Sequence, residues 1–171
     1  MKSDDVIEVI GVINRYALAV DTRRWELFDR VFTPNVEADY GGGARWSDLE
    51  SLRGDFAASH ANFEATQHIT TNHQVLVEGD GSNAISYVQA RFIRLAPDGG
   101  SITEMYGWYD DHLTRTVAGW RIDQRVWRGV WSTDHPLVSQ TMFGAPVTES
   151  YSLSGEAASG NIMYLDKIEN S

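Results

Sequence analysis

The run Thr66-Gln67-His68-Ile69-Thr70-Thr71-Asn72-His73 sets a titratable ring inside a segment with the composition of a strand. Val75, Leu76 and Val77 continue it, and Glu78-Gly79-Asp80-Gly81 closes it as a turn. Period-two alternation puts Thr66, His68, Thr70, Asn72 and Gln74 on one face, with Gln67, Ile69, Thr71, His73, Val75 and Val77 on the other. A face so polar looks either onto bulk water or into a cavity that uses a titratable group. We take the second reading, because imidazole is the side chain whose charge changes near neutral pH without perturbation. His68 is then a candidate general base, against the alternative of a hydrogen-bonded strand histidine.

Other chemistry-bearing residues are open on sequence alone. Tyr16 falls on the apolar stripe of the first helix, so its hydroxyl needs a partner, either a backbone group or a substrate oxygen. Arg125 alternates with Trp127 and Trp131, while Trp120, Ile122, Val126 and Val130 take the opposite face. An arginine among aromatics suits a developing oxyanion or a departing anion, and the alternative is an ion pair with Asp110, Asp111 or Asp123. Asp21, before Thr22-Arg23-Arg24, reads by itself as a helix cap or an ion-pair partner of either arginine. His73, on the face opposite His68, does not suit a two-histidine metal site, and His112 lacks the spacing of a metal-binding helix, so no metal is expected. Gly41 to Gly43 lack a phosphate-loop setting, and no serine or cysteine nucleophile motif occurs.

The elements that must position these groups follow in order. Ser3 and Asp4 open a helix with the stripe Val6, Val9, Ile10, Ile13, Tyr16, Ala17 and Val20, ending near Asp21. Tyr16 and Asp21 differ by ~140° around a regular helix, so both reach one cavity only if the helix has ended by Asp21. A short second helix runs from Trp25 to Phe32 and stops at Pro34; Val36 to Tyr40 is a short strand; a third helix spans Ser47 to Phe63. Four long strands follow, the last from Trp120 to Trp131. The pattern predicts an α+β domain over residues 1–131, with helices packed on one face of a curved antiparallel sheet. Residues 132–171 read as a tail that covers the domain or a neighbouring subunit.

Composition narrows the partners. Within 171 residues, 24 acids against 14 bases give a net charge of −10, which argues against nucleic acid and anionic membranes. The absence of cysteine excludes disulfides and thiol catalysis. An acidic N-terminus and the lack of an apolar run of ~18 residues lead us to expect a cytoplasmic protein. Among the 19 aromatics, Trp25, Trp108 and Trp127 are expected to line a cavity, with Asn72 beside His68, for an aromatic or polycyclic small molecule.

This order of elements resembles the SnoaL-like branch of the NTF2-like cone fold. The resemblance rests on Tyr16-Ala17-Leu18-Ala19-Val20-Asp21, Trp25 to Phe32, Thr66-Gln67-His68 with Asn72, and Gly119-Trp120-Arg121-Ile122 with Arg125. It is similar there to scytalone dehydratase, bile acid 7α-dehydratase and hexachlorocyclohexane dehydrochlorinase. The resemblance implies a cofactor-independent His–Asp pair that removes a proton and expels a leaving group. Their histidine falls on His68, its carboxylate on Asp21, the dehydrochlorinase arginine on Arg125 and the bile acid enzyme's tyrosine on Tyr16. A dehydratase-like lyase is therefore expected. Dehydrohalogenation, retro-aldol loss of an aldehyde, isomerisation and polyketide-type cyclisation are reachable from the same pair. The rival is a non-catalytic subunit, such as the small subunit of a ring-hydroxylating dioxygenase. The resemblance also implies a homo-oligomer, most often a trimer, and the apolar residues on both faces of the last strand agree with it.

Overall fold

Val9, Val12, Ile13, Tyr16, Ala19 and Val20 are buried at three- and four-residue steps along α1 (Ser3–Thr22). The computed structural model describes residues 3–96, 99–136, 141–142, 145–146 and 153–160. Asp4 and Asp5 occupy the first turn of α1, where carboxylates complement the helix dipole. At the other end Thr22 Oγ1 donates to the Leu18 carbonyl (2.6 Å), and Arg23 adopts a left-handed φ of 59°, turning the chain out of the helix.

The second helix is a 3-10 turn, Trp25–Arg30, shorter than the pattern predicts. Phe32 instead opens β1 (Phe32–Asp39). Pro34 does not stop a helix: it lies between the Phe32–Ile122 and Glu37–Gln124 pairs, where the register shifts and a missing N–H costs the ladder little. After the two-residue β2 (Arg45–Trp46), α2 (Leu49–His60) starts from Asp48, whose carboxylate accepts the Ser51 N–H at 2.8 Å. Phe63 lies beyond its end.

Four long strands complete the sheet: β3 (Ala65–Glu78), β4 (Gly81–Arg94), β5 (Ser101–Thr116) and β6 (Gly119–Pro136). Each is antiparallel to the next, and the order is β2-β1-β6-β5-β4-β3. One pairing departs from the antiparallel expectation: β1 runs parallel to β6. The result is the expected α+β, NTF2-like cone, with α1 and α2 against the inner face of the sheet and Val9, Ile13, Phe28, Leu52, Leu113 and Ile122 fully buried between them.

Three register shifts decide which side chains face inward. In β3 an extra residue sits between the Thr71–Tyr87 and Gln74–Ile85 pairs, and Asn72 has a left-handed φ of 52°. Beyond it the alternation is reversed, so His73, Val75 and Val77 share the inner face with His68 while Asn72 and Gln74 are exposed. This corrects the alternation expected for Asn72, His73, Gln74, Val75 and Val77. In β6, Asp123 is the extra residue between the Leu113–Ile122 and His112–Gln124 pairs. It brings Trp120 and Ile122 onto the face of Arg125 and Trp127, not the opposite one. Val130 is the third extra residue, and past it Trp131 stacks on Tyr106 (ring centroids 3.9 Å) on the outer face. Gly107 faces this last bulge, where an added Cβ would lie 2.0 Å from the Arg128 carbonyl oxygen.

Part of the tail packs on its own domain. Within α3 (Leu153–Ala158), Ala157 joins the core, and Arg24 Nη2 donates to its carbonyl at 3.0 Å. Phe143, Val147, Tyr151, Ile162 to Leu165 and Ile168, also expected to cover apolar surface, lie outside the described residues. No helix among the described residues is long and apolar enough to cross a membrane.

Candidate active site

The end of α1 and the start of β3 meet at a carboxylate. Asp21 Oδ1 lies 2.7 Å from His68 Nδ1 and accepts the Thr66 hydroxyl at 2.9 Å, while Oδ2 accepts the His68 backbone N–H at 2.7 Å. Arg23, displaced into the left-handed region, donates from Nη1 to Thr66 Oγ1 (2.8 Å) and to the Val20 carbonyl (2.6 Å). Asp21 does not cap the 3-10 turn, which has no side-chain cap, and Arg23 hydrogen-bonds Thr66, which in turn donates to the Asp21 carboxylate. Both side chains of the pair are buried, at 6% for Asp21 and 5% for His68. An ionised carboxylate only accepts, so Nδ1 carries the proton and Nε2 keeps a basic lone pair.

His68 lines a cavity of about 240 Å³. Its polar wall is His68, His60, Tyr16, Tyr40 and Tyr109; Phe56, Ala90, Phe92, Met105 and Trp127 supply the apolar remainder. Helix α1 does not end before Asp21, yet the ~140° offset from Tyr16 is no obstacle: Tyr16 faces the cavity directly, and Asp21 acts on it through His68.

The three phenols form a cluster above a buried cation. Tyr40 donates its hydroxyl to Tyr16 Oη (3.1 Å), which leaves the Tyr16 proton for another acceptor. Burial pushes the Tyr16, Tyr40 and Tyr109 hydroxyls above their ordinary range, so all three stay neutral. Beneath them the Arg125 guanidinium lies 4.3 Å from the Tyr16 ring centre and 4.0 Å from that of Tyr109. It makes two 2.7 Å bonds to Asp111, with neither side chain exposed. Burial works against its charge, but Asp111 and the surrounding phenols outweigh it and hold Arg125 firmly protonated.

A SnoaL-like domain is matched by residues 1–126. The chain belongs to the SnoaL-like family. An uncharacterised protein of Mycobacterium tuberculosis is 33% identical over 128 residues, 71% of this chain and 83% of that one. The Kfla4162 protein of Kribbella flavida superposes with a TM-score of 0.73 at 27% identity, covering 76% of this chain and 93% of that one. A hexachlorocyclohexane dehydrochlorinase of type 3 from Novosphingobium barchaimii gives 0.66 at 16% identity, over 75% and 88% of the two chains, a likeness of fold.

Within this SnoaL-like domain the residues expected from sequence separate clearly. His68, Tyr16 and Trp127 stand on the cavity wall, with Asp21 directly behind His68. Arg125 does not line this cavity, because Asp111 engages its guanidinium under the phenol rings. Asn72 is exposed at the bulge, and Trp108 lies on the outer face beside Trp131. Trp25 packs edge-on against His60 and Phe28, one layer behind the wall. Sequence reasoning missed Tyr40, Tyr109 and His60. All three were legible: Tyr109 sits on the inner alternation of β5 with Asp111, Tyr40 continues the alternation of Val36 and Ala38, and His60 lies one turn beyond Phe56 on the buried face of α2.

Proposed function

We propose that this protein is a cofactor-independent lyase acting on a small ring-bearing molecule, with His68 as general base. The observation that carries the reading is the 2.7 Å contact between His68 Nδ1 and Asp21 on the wall of an otherwise mostly apolar cavity. Nε2 removes a proton from carbon, and Asp21 stabilises the imidazolium that forms. Phenols held neutral are poor acids but serviceable hydrogen-bond donors, so Tyr16 stabilises developing negative charge on a substrate oxygen, and the Tyr40 hydroxyl, donated to Tyr16 Oη, supports it. The proton for the leaving group then comes back from His68 itself. Return to a leaving hydroxyl gives dehydration; return to another carbon of the same molecule gives isomerisation. Arg125 acts through the phenols as a positioning residue, its charge spread under the rings of Tyr16 and Tyr109.

Fold likeness to a dehydrochlorinase supports elimination as the reaction class. The test is a panel of β-hydroxy ketones on one- and two-ring frames, followed by the absorbance of the enone product, with α-proton exchange of 1-tetralone in D2O as a second readout. Catalysed water loss or exchange that His68→Gln abolishes is the expected result. Bound ketone with neither reaction in the unmodified protein would overturn the enzymatic reading.

We also propose association of like chains through the outer face of the sheet, with a trimer favoured. Tyr87, Val130 and Trp131 are more than half exposed there, around a hollow shared with Tyr106 and Trp108. A patch of that character on one subunit is a surface for another.

A further inference from the structure

His60, at the last turn of α2, is a second histidine on the cavity wall, and nothing in the elimination chemistry uses it. Its ring is stacked on Phe56 (5.4 Å, 18°) and meets Trp25 at 5.5 Å, Phe92 at 6.0 Å and Phe63 at 6.2 Å. Nδ1 lies 2.8 Å from the Phe56 carbonyl, which only accepts, so Nδ1 carries the hydrogen. Nε2 is therefore a bare acceptor, and it is buried with no hydrogen-bond partner among the described residues. A buried acceptor left unpaired costs free energy that a donor arriving from the cavity recovers. The aromatic enclosure pushes the imidazole down to about 4 chiefly by desolvation, with Arg23 and His68 adding repulsion, so it remains an acceptor throughout the physiological range.

We infer that His60 Nε2 is the specificity contact for a hydroxyl donor on the substrate, and that the substrate is a hydroxylated one- or two-ring compound. The size follows from the cavity: about 240 Å³ lies below the roughly 300–1,000 Å³ of pockets for drug-sized ligands and suits one or two rings. His68 and His60 both neighbour the Phe92 ring, with ring centres at 5.7 and 6.0 Å, so one ligand ring on Phe92 is within range of both. A ligand ring lying on Phe92 presents a carbon toward His68 and a hydroxyl toward His60. This inference rests on the reading of the cavity as the substrate site.

A matched pair of probes, 2-naphthol and naphthalene, separates the two claims. Binding is followed by fluorescence, since Trp127 lines the cavity. The unmodified protein is expected to bind 2-naphthol about tenfold more tightly than naphthalene, the weight of one hydrogen bond. His60→Phe keeps a ring in the stack and removes the acceptor; it should hold naphthalene as before and reduce the preference to less than about threefold. An unchanged preference in His60→Phe overturns the His60 assignment and leaves the cavity reading intact. Failure of both probes to bind the unmodified protein overturns the cavity reading itself. If His60→Phe does not fold, long-range ¹H–¹⁵N spectra of the unmodified protein decide: His60 Nε2 must shift with 2-naphthol and not with naphthalene.

Discussion

Asp21 holds His68 at two points, one carboxylate oxygen on ring Nδ1 and the other on the backbone N–H, each at 2.7 Å. The ring and the strand that carries it are thus fixed by the same group. Replacing His68 with Gln should remove about 10²–10⁴ of the rate, the usual weight of a general base. Asp21→Asn should cost less, because the base survives with poorer orientation. Turnover measured on the β-hydroxy ketone panel checks both, and near-normal turnover in His68→Gln would falsify the base assignment.

The Arg125–Asp111 pair has no exposure and lies under the phenols of the cavity wall. Asp111→Asn strands a guanidinium in the core and should destabilise the fold by about 3–5 kcal/mol. A double replacement, Arg125→Met with Asp111→Leu, should recover most of that loss, because burying two charges is itself expensive. Urea denaturation of the three proteins gives the comparison; equal stability of Asp111→Asn and the unmodified protein contradicts it.

His60 makes stability depend on pH with a definite sign. Unfolded, it takes up a proton below about 6.5; folded, only below about 4. Between those values the unfolded chain binds more protons, so the contribution is complete above about 6.5 and is lost as pH falls to about 4. The loss is on the order of 3 kcal/mol. His60→Phe should flatten this part of the stability profile, as read from denaturant midpoints at a series of pH values. An identical slope in both proteins places the proton uptake elsewhere.

Assembly is testable at Trp131 and Tyr87, both over half exposed on the outer sheet face. Light scattering should find an oligomer for the unmodified chain and a monomer for Tyr87→Lys with Trp131→Glu. A well-behaved monomer of the unmodified chain at micromolar concentration rejects the proposal. A truncation after Pro136, the end of β6, that remains assembled assigns the contact to the sheet, and one that dissociates assigns it to the tail.

The long elements were legible because their periodicity is strong: the α1 stripe and the turns at Gly79 to Gly81 and Ala118-Gly119 place one helix and four strands nearly as found. Strand faces were legible only up to a bulge. His68 lies before the extra residue in β3 and was placed inward correctly, whereas Asn72, His73 and Gln74 lie at or after it and were not. The same holds for Trp120 and Ile122 against Arg125, separated by Asp123. A bulge is fixed by pairing with a distant strand, so its location is not written in the local pattern. The fate of Arg125 was undecidable for a related reason: Asp110, Asp111 and Asp123 were all within plausible reach, and only the register of β5 on β6 selects Asp111.

The left-handed residue at Asn72 gives one strand two separate occupations. Before it, Thr66 and His68 bind Asp21 and His68 lines the cavity; after it, Val75 and Val77 pack on the core. The kink lets each half of β3 keep its own phase. Substitutions around His68 therefore leave the valines facing the core, and deleting Asn72 would join the two halves into one regular strand, with His73 opposite Ser86 and the same residues still facing inward. The extra residue works as a joint between the half of the strand that meets Asp21 and the half that closes the core.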